Sequence, residues 1–273
     1  VNEVLSEIEI DSAEAILVLN KADAVTDPCD LQLLRTMAQT TVTATAVEIV
    51  GTSAASRTPL NMQLTNVSSS GAVSGIVLTN SSSSGSPGGF RVLGNSAGLC
   101  GGSVSSGPPA SAASVTAPVT GDCTGGTIQN STGPGIVLNN AANIVITRMQ
   151  IVGSGDDGVR GTNVTDFSLI SSFLNNNGNA INECGLDFGD TSSVTPDGLH
   201  GTGAITNSTI QNSYYNGASF RNSGGTALTS FNVSGSQFRS LPTNGDSNDN
   251  LFIEAGGTAN MALSVSGSHF SSI

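Results

Sequence analysis

The chain has no tryptophan, a single lysine (Lys21) and two histidines, and only 10% of its 273 residues are charged. Each scarcity excludes something. The arginines stand one at a time (Arg35, Arg57, Arg91, Arg148, Arg160, Arg221, Arg239) and the net charge is −12. A nucleic-acid backbone or an anionic membrane surface needs clustered cations, so neither is an expected partner. The longest apolar burst, Ala15 to Leu19, is far too short to span a bilayer. The first residues are acidic, unlike the basic start of a secretory leader. A leader has been removed, or the sequence is a piece of a longer chain.

Cysteine is also scarce: Cys29, Cys100, Cys123 and Cys184, with no C-x-x-C pair. That argues against zinc. Cys100 and Cys123 bracket a Pro- and Ser-rich stretch, and a disulfide closing it is expected, with free buried thiols as the alternative. Such a bridge would stabilise by roughly 3 kcal/mol. A bridge and low charge together favour an extracytoplasmic setting.

What is abundant is Gly, Ser, Thr and Asn, yet 37% of the chain is apolar, in short regular bursts. Disorder does not produce such bursts; many short strands and tight turns do. "SGIVLTN" at 74–80 returns as "PGIVLNN" at 134–140. Later bursts contain Met149, Phe173, Ile210, Phe238 and Phe270, at steps of 24, 37, 28 and 32 residues. The shortest step suits one coil of a β-solenoid, and the others suit a coil plus an inserted loop. Ile144 and Ile146, Phe167 and Leu169, Phe231 and Val233, Leu263 and Val265 alternate with polar residues, the period of a strand with one buried face. Asn and Gly between bursts tolerate the positive φ that tight corners need. The expected fold is an all-β, single-stranded right-handed parallel β-helix over 46–273, with loops inserted near 101–122, 189–203 and 241–250.

Residues 1–45 read differently. Leu31, Leu34, Met37 and Ala38 form one helical stripe that Asp30 can cap, so a short helical N-terminal cap is expected. A linker is the other reading. At the other end, "HFSSI" stops within a coil. An uncovered solenoid edge is adhesive, so either the polypeptide continues or another subunit stacks there.

From "CTGGTIQNSTGPGIVLNNAANIVITRMQI" through "FNVSGSQF", the chain resembles the right-handed parallel β-helix repeats of very large bacterial surface and secreted proteins. "PLNMQLTNVSSSGAVSGIVLTNSSSSGSPGGFRVLG" fits the same group, and the resemblance covers about residues 42–273. It implies an elongated, secreted or surface-attached scaffold, often repeated within one chain.

"SGDDG" at 154–158 poses the chemical question. The galacturonan hydrolases of the right-handed β-helix fold look similar in carrying an Asp pair, then Gly-His-Gly, then Arg-x-Lys. Asp156-Asp157, His200 and Arg221 follow that order. The departures are an "NNAAN" where an Asn-Thr-Asp would stand, Leu before His200, and no Lys after Arg221. Inverting hydrolysis needs two carboxyls across a water. A lyase would need calcium, for which Asp156, Asp157, Asp187 and Asp190 are the candidate ligands, with Arg160 as base. The simpler reading of Asp156-Asp157 is a turn. The leading expectation is therefore an extracellular scaffold, adhesin or filament segment without catalytic residues or cofactor. Its partners would be copies of itself, neighbouring repeats or surface carbohydrate. A polysaccharide-active enzyme is the alternative, and a structural calcium a secondary one.

Overall fold

The computed structural model describes residues 47–272, apart from 96, 106–113, 190–196 and 241–248. The cap expected over 1–45 lies outside the described residues. Three parallel sheets run the length of the molecule. The first stacks Val47–Val50, Ile76–Thr79, Ile136–Asn139, Val159–Thr162, Leu186–Phe188, Ala218–Asn222 and Leu251–Ala255. The second stacks Thr58–Leu64, Gly89–Val92, Ala142–Thr147, Val164–Ile170, Leu199–Thr206, Ala227–Ser234 and Asn260–Ser266. Ser81–Ser83 pairs with the first half of Thr58–Leu64 in the same layer as Gly89–Val92. The third stacks Ser69–Ser70, Gly126–Gln129, Met149–Val152, Phe173–Asn175, Thr209–Gln211, Gln237–Ser240 and His269–Ser272. The chain visits the sheets in turn, so each circuit is one coil of a parallel β-solenoid and each coil pairs its backbone with the coils on either side.

Alternation within each strand sends every second side chain inward. In-register stacking then lines these side chains into columns. Leu64, Val92, Ile146, Leu169, Ile205, Val233 and Val265 form one. Ile128, Ile151, Leu174, Ile210, Phe238 and Phe270 form another. This column corrects the sequence alignment by two residues in the third coil and one in the fourth: Ile151 and Leu174, not Met149 and Phe173, are equivalent to Ile210. Phe173 instead stacks on Gln150 and Thr209, on the outer face. Four phenylalanines, 167, 188, 220 and 231, touch in series through the middle, with ring centroids 4.9, 5.2 and 4.5 Å apart. Each such side chain, moved from water to this interior, contributes roughly 1.5–3 kcal/mol.

The corners repeat too. Where the second sheet turns into the third, Arg148, Ser171, Asn207, Gly235 and Gly267 all have φ between 48° and 58°. The next residue in four of these corners is a serine. Ser172, Ser208, Ser236 and Ser268 each accept the N–H of the preceding coil's equivalent residue through Oγ, at 3.1–3.2 Å. Each hydroxyl also donates to the carbonyl two residues earlier. The serines thus satisfy backbone donors that the turn removes from the sheet.

The expected Cys100–Cys123 disulfide is present. It anchors a strap rather than a free loop: Ser103–Ser105 and Ser114–Thr116 form an antiparallel ribbon. The strap lies across the outside of the third sheet. Cys100 Sγ sits 3.6 Å from the Met149 carbonyl oxygen, and the bridge packs on Phe173. Thr209 Oγ1 donates to the Gly101 carbonyl at 2.7 Å, and Gln237 Nε2 to those of Ser103 and Thr116 at 3.3 and 2.8 Å. Gly101 has to be glycine, since a Cβ would fall 2.0 Å from the Asn207 carbonyl oxygen. The loop expected at 189–203 is shorter than read, because Leu199–Thr206 is a second-sheet strand. Within that sheet, Leu199 and Leu228 are buried where the pairing shifts register.

Candidate functional site

Asp156 and Asp157 occupy the corner between the third and first sheets, just before Val159–Thr162. Asp156 Oδ1 accepts the Asp157 N–H at 2.9 Å, a local turn bond of the kind aspartate favours. The Arg160 guanidinium donates to Asp156 Oδ1 and, at 2.8 Å, to Asp157 Oδ2. Asp157 is fully buried. Its Oδ1 accepts the Cys184 N–H of the next coil at 2.6 Å, and its carbonyl accepts the Gly135 N–H of the preceding coil at 2.9 Å. One residue thereby ties three coils together, and both carboxylate oxygens are occupied by it.

Register brings Asp187 beside Arg160 and Ser219 on the outer face of the first sheet. Arg221 follows two residues beyond Ser219 on the same strand. It pairs with Glu254 at 3.8 Å and lies 5.1 Å over the Phe252 ring. Asp187 Oδ1 and the neighbouring Ser219 Oγ are both shut off from water. Burial pushes the Asp187 carboxyl up to about 6, against the pull of Ser219, Arg221 and Arg160. Burial, with the Asp187 charge next, pushes Asp157 up to about 7, against the Cys184 N–H and Arg160. The Cys184 thiol is raised by burial and by the same two carboxylates, which makes it inert as a nucleophile.

Of the sequence candidates, Asp156, Asp157, Asp187, Arg160 and Arg221 therefore share one face and act on one another. His200 belongs elsewhere. It is on the second sheet, opposite Thr165, and its Nε2 is buried without a partner. Burial lowers its proton affinity; Asp197 raises it and Arg57 lowers it further. Asp190 lies outside the described residues. No group of three or more His, Cys, Asp or Glu among the described residues is arranged to hold a metal ion.

A second polar feature follows the corner between the first and second sheets. Ala54, Asn80, Asn139, Asn140, Thr162, Asn163 and Asp197 line an open groove. Asn163 Nδ2 donates to Asn140 Oδ1 at 3.0 Å, and Asn140 Nδ2 to Asn80 Oδ1 at 2.8 Å. Asp197 Oδ1 accepts the Asn163 and Gly198 N–H groups at 3.1 and 2.7 Å. All three ladder asparagines have φ of 52–53°. Neither the serine nor the asparagine ladder was among the sequence candidates. Both had a signal: an Asn directly after the "IVLT" and "IVLN" bursts, and a Ser two residues before four of the third-sheet core residues, Leu174, Ile210, Phe238 and Phe270.

The fold and the site define a parallel β-solenoid whose charged residues brace its coils. No family model, curated protein or solved structure matches the chain. Among the described residues, no helix is long and apolar enough to cross a membrane.

Proposed function

We propose that this chain is an extracellular structural module, a right-handed parallel β-helix serving as scaffold, adhesin or filament segment. The observation that carries the reading is the bonding of Asp157. A general base or acid must reach substrate, whereas both oxygens of this carboxylate are spent inside the fold. The disulfide favours an oxidising compartment, and the right hand follows from the strong preference of parallel crossovers. Surface carbohydrate or another β-solenoid unit is the partner class that a polar, hydroxyl-rich rod suits. The test is turnover of a panel of uronate and neutral glycans by wild type, Asp156→Asn and Asp157→Asn. No turnover is expected; activity lost in either variant would overturn the proposal.

A polysaccharide-active enzyme remains the second reading. Asp187 favours it, a half-buried carboxyl with raised proton affinity on the face it shares with Arg160 and Arg221. If turnover is found, Asp187→Asn should abolish it. Chelation addresses the calcium alternative: EDTA should leave Tm unchanged, and a fall in Tm restored by calcium would assign a cation to this face.

A further inference from the structure

The groove at the corner between the first and second sheets has a volume of about 550 Å³, inside the range of small-molecule sites, roughly 300–1,000 Å³. Two kinds of polar residue build it. Asn80, Asn140 and Asn163 are committed to the fold. Asn80 Nδ2 donates to the Gly51 carbonyl at 3.2 Å, and Asn140 Nδ2 to the Ala54 carbonyl at 3.4 Å as well as to Asn80 Oδ1. These bonds run from coil to coil and hold the floor of the groove in place. Asn139 and Thr162 are not committed. They are register partners in adjacent coils, one position before Asn140 and Asn163, and both are exposed. Among the described residues, neither side chain has a hydrogen-bond partner. Adjacent strands lie about 4.8 Å apart, so an amide and a hydroxyl stand side by side with every donor and acceptor available.

The lining selects the chemistry of a ligand. It holds no cation, and its one acid, Asp197, is 4% exposed. An anion finds nothing to pair with there, in a chain of net charge −12. A metal ion would need several oxygen ligands, and Asp197 Oδ1 already accepts two backbone N–H groups. An apolar molecule would meet only Ala54. What suits the groove is a neutral molecule rich in hydroxyls, which donate and accept as an amide and a threonine together can answer. A neutral saccharide has that chemistry.

We propose that this groove binds a neutral saccharide through the Asn139 amide and the Thr162 hydroxyl, over the fixed asparagine floor. This rests on the scaffold reading with surface carbohydrate as partner, and deepens it by naming the site and the class of sugar. The test is titration of the 273-residue chain, followed through its side-chain amide NMR signals. The probes are neutral oligosaccharides of glucose, mannose and galactose, with oligogalacturonate as the charged control. Saturable shifts of the Asn139 and Asn163 amides are expected with at least one neutral sugar, and none with oligogalacturonate. No response to any neutral sugar, or a stronger response to oligogalacturonate, would overturn the proposal. Asn139→Ala with Thr162→Ala removes two exposed side chains that bond nothing in the fold. Tm should therefore hold while affinity falls at least about tenfold; binding unaltered by the double change would reject the site. The scaffold reading fails separately. Absence of binding leaves it standing, whereas turnover abolished by Asp187→Asn, with binding kept at the groove, would remove the scaffold reading and leave this site in place.

Discussion

Asp157 has three kinds of neighbour: a cation, an amide from the next coil and a second carboxylate. The first two favour its charge, and burial and Asp187 oppose it more strongly. The consequence for stability has a definite sign. Asp157 and Asp187 titrate at about 7 and about 6 in the folded protein, against an ordinary value of 3.8. Between those limits the native state keeps protons that the unfolded chain has released. The stability they contribute is complete below about pH 4 and is lost as pH rises through 6 to 7. Thermal melts should therefore give a higher Tm at pH 5 than at pH 8, and Asp157→Asn should flatten that difference. Asp157→Ala should cost about 2–3 kcal/mol by denaturant titration, because the Cys184 N–H and Arg160 lose an acceptor together. The two adjacent acids between glycines were legible as a turn. That the second of them would be buried and bonded to coils on both sides was not, because Cys184 lies 27 residues away in the chain.

At the scale of the element, each strand is short and gains its order from the coils around it. The alternation of Ile144, Ile146, Phe167 and Leu169 was readable because a strand's two faces differ in polarity. The register was not. Met149 and Phe173 look like core positions by hydrophobicity, and Met149 is indeed buried, but only the cross-coil pairing separates the inner column from the outer one. The corner serines follow from the same logic. Ser208→Ala leaves the Ser172 N–H buried without its acceptor and should destabilise by roughly 1–3 kcal/mol in urea. Close packing sets a stricter limit inside. Gly161 stacks on Phe188, and a Cβ there would stand 2.3 Å from the ring. Gly161→Val should therefore lower Tm through overpacking, at a cost of about 1–3 kcal/mol or more. Pairing a glycine in one coil with a phenylalanine in the next is how a narrow interior accommodates large rings, and only the register shows which glycine serves which ring.

Across the whole molecule, nearest-neighbour coil contacts are supplemented by one long-range device. The strap from Cys100 to Cys123 leaves the solenoid before the third coil and makes bonds or contacts as far along as Gln237 in the sixth. It covers Phe173 on an otherwise outward face. A repeat protein without such a strap unfolds by sequential loss of neighbours; here, the middle coils share a fastening. Reduction, or Cys100→Ser with Cys123→Ser, should lower stability by about 3 kcal/mol, the loop-closure value for a bridge of this span. Hydrogen exchange should then rise around Phe173, Thr209 and Gln237 ahead of the first-sheet strands.

The stacked parallel β architecture was legible in the chain, because strand period, corner chemistry and burst recurrence are local properties that need no knowledge of which coil meets which. The sequence also indicated the disulfide, from two cysteines flanking a polar loop. What the charged residues do emerged only with the coils in register. Asp157, Arg160, Asp187 and Arg221 come together across coils, by register, and His200 is carried to a different sheet. The physical reason is that a solenoid builds its faces from residues one circuit apart, and inserted segments make each circuit a different length. Spacing along the chain therefore does not reveal spacing along the rod.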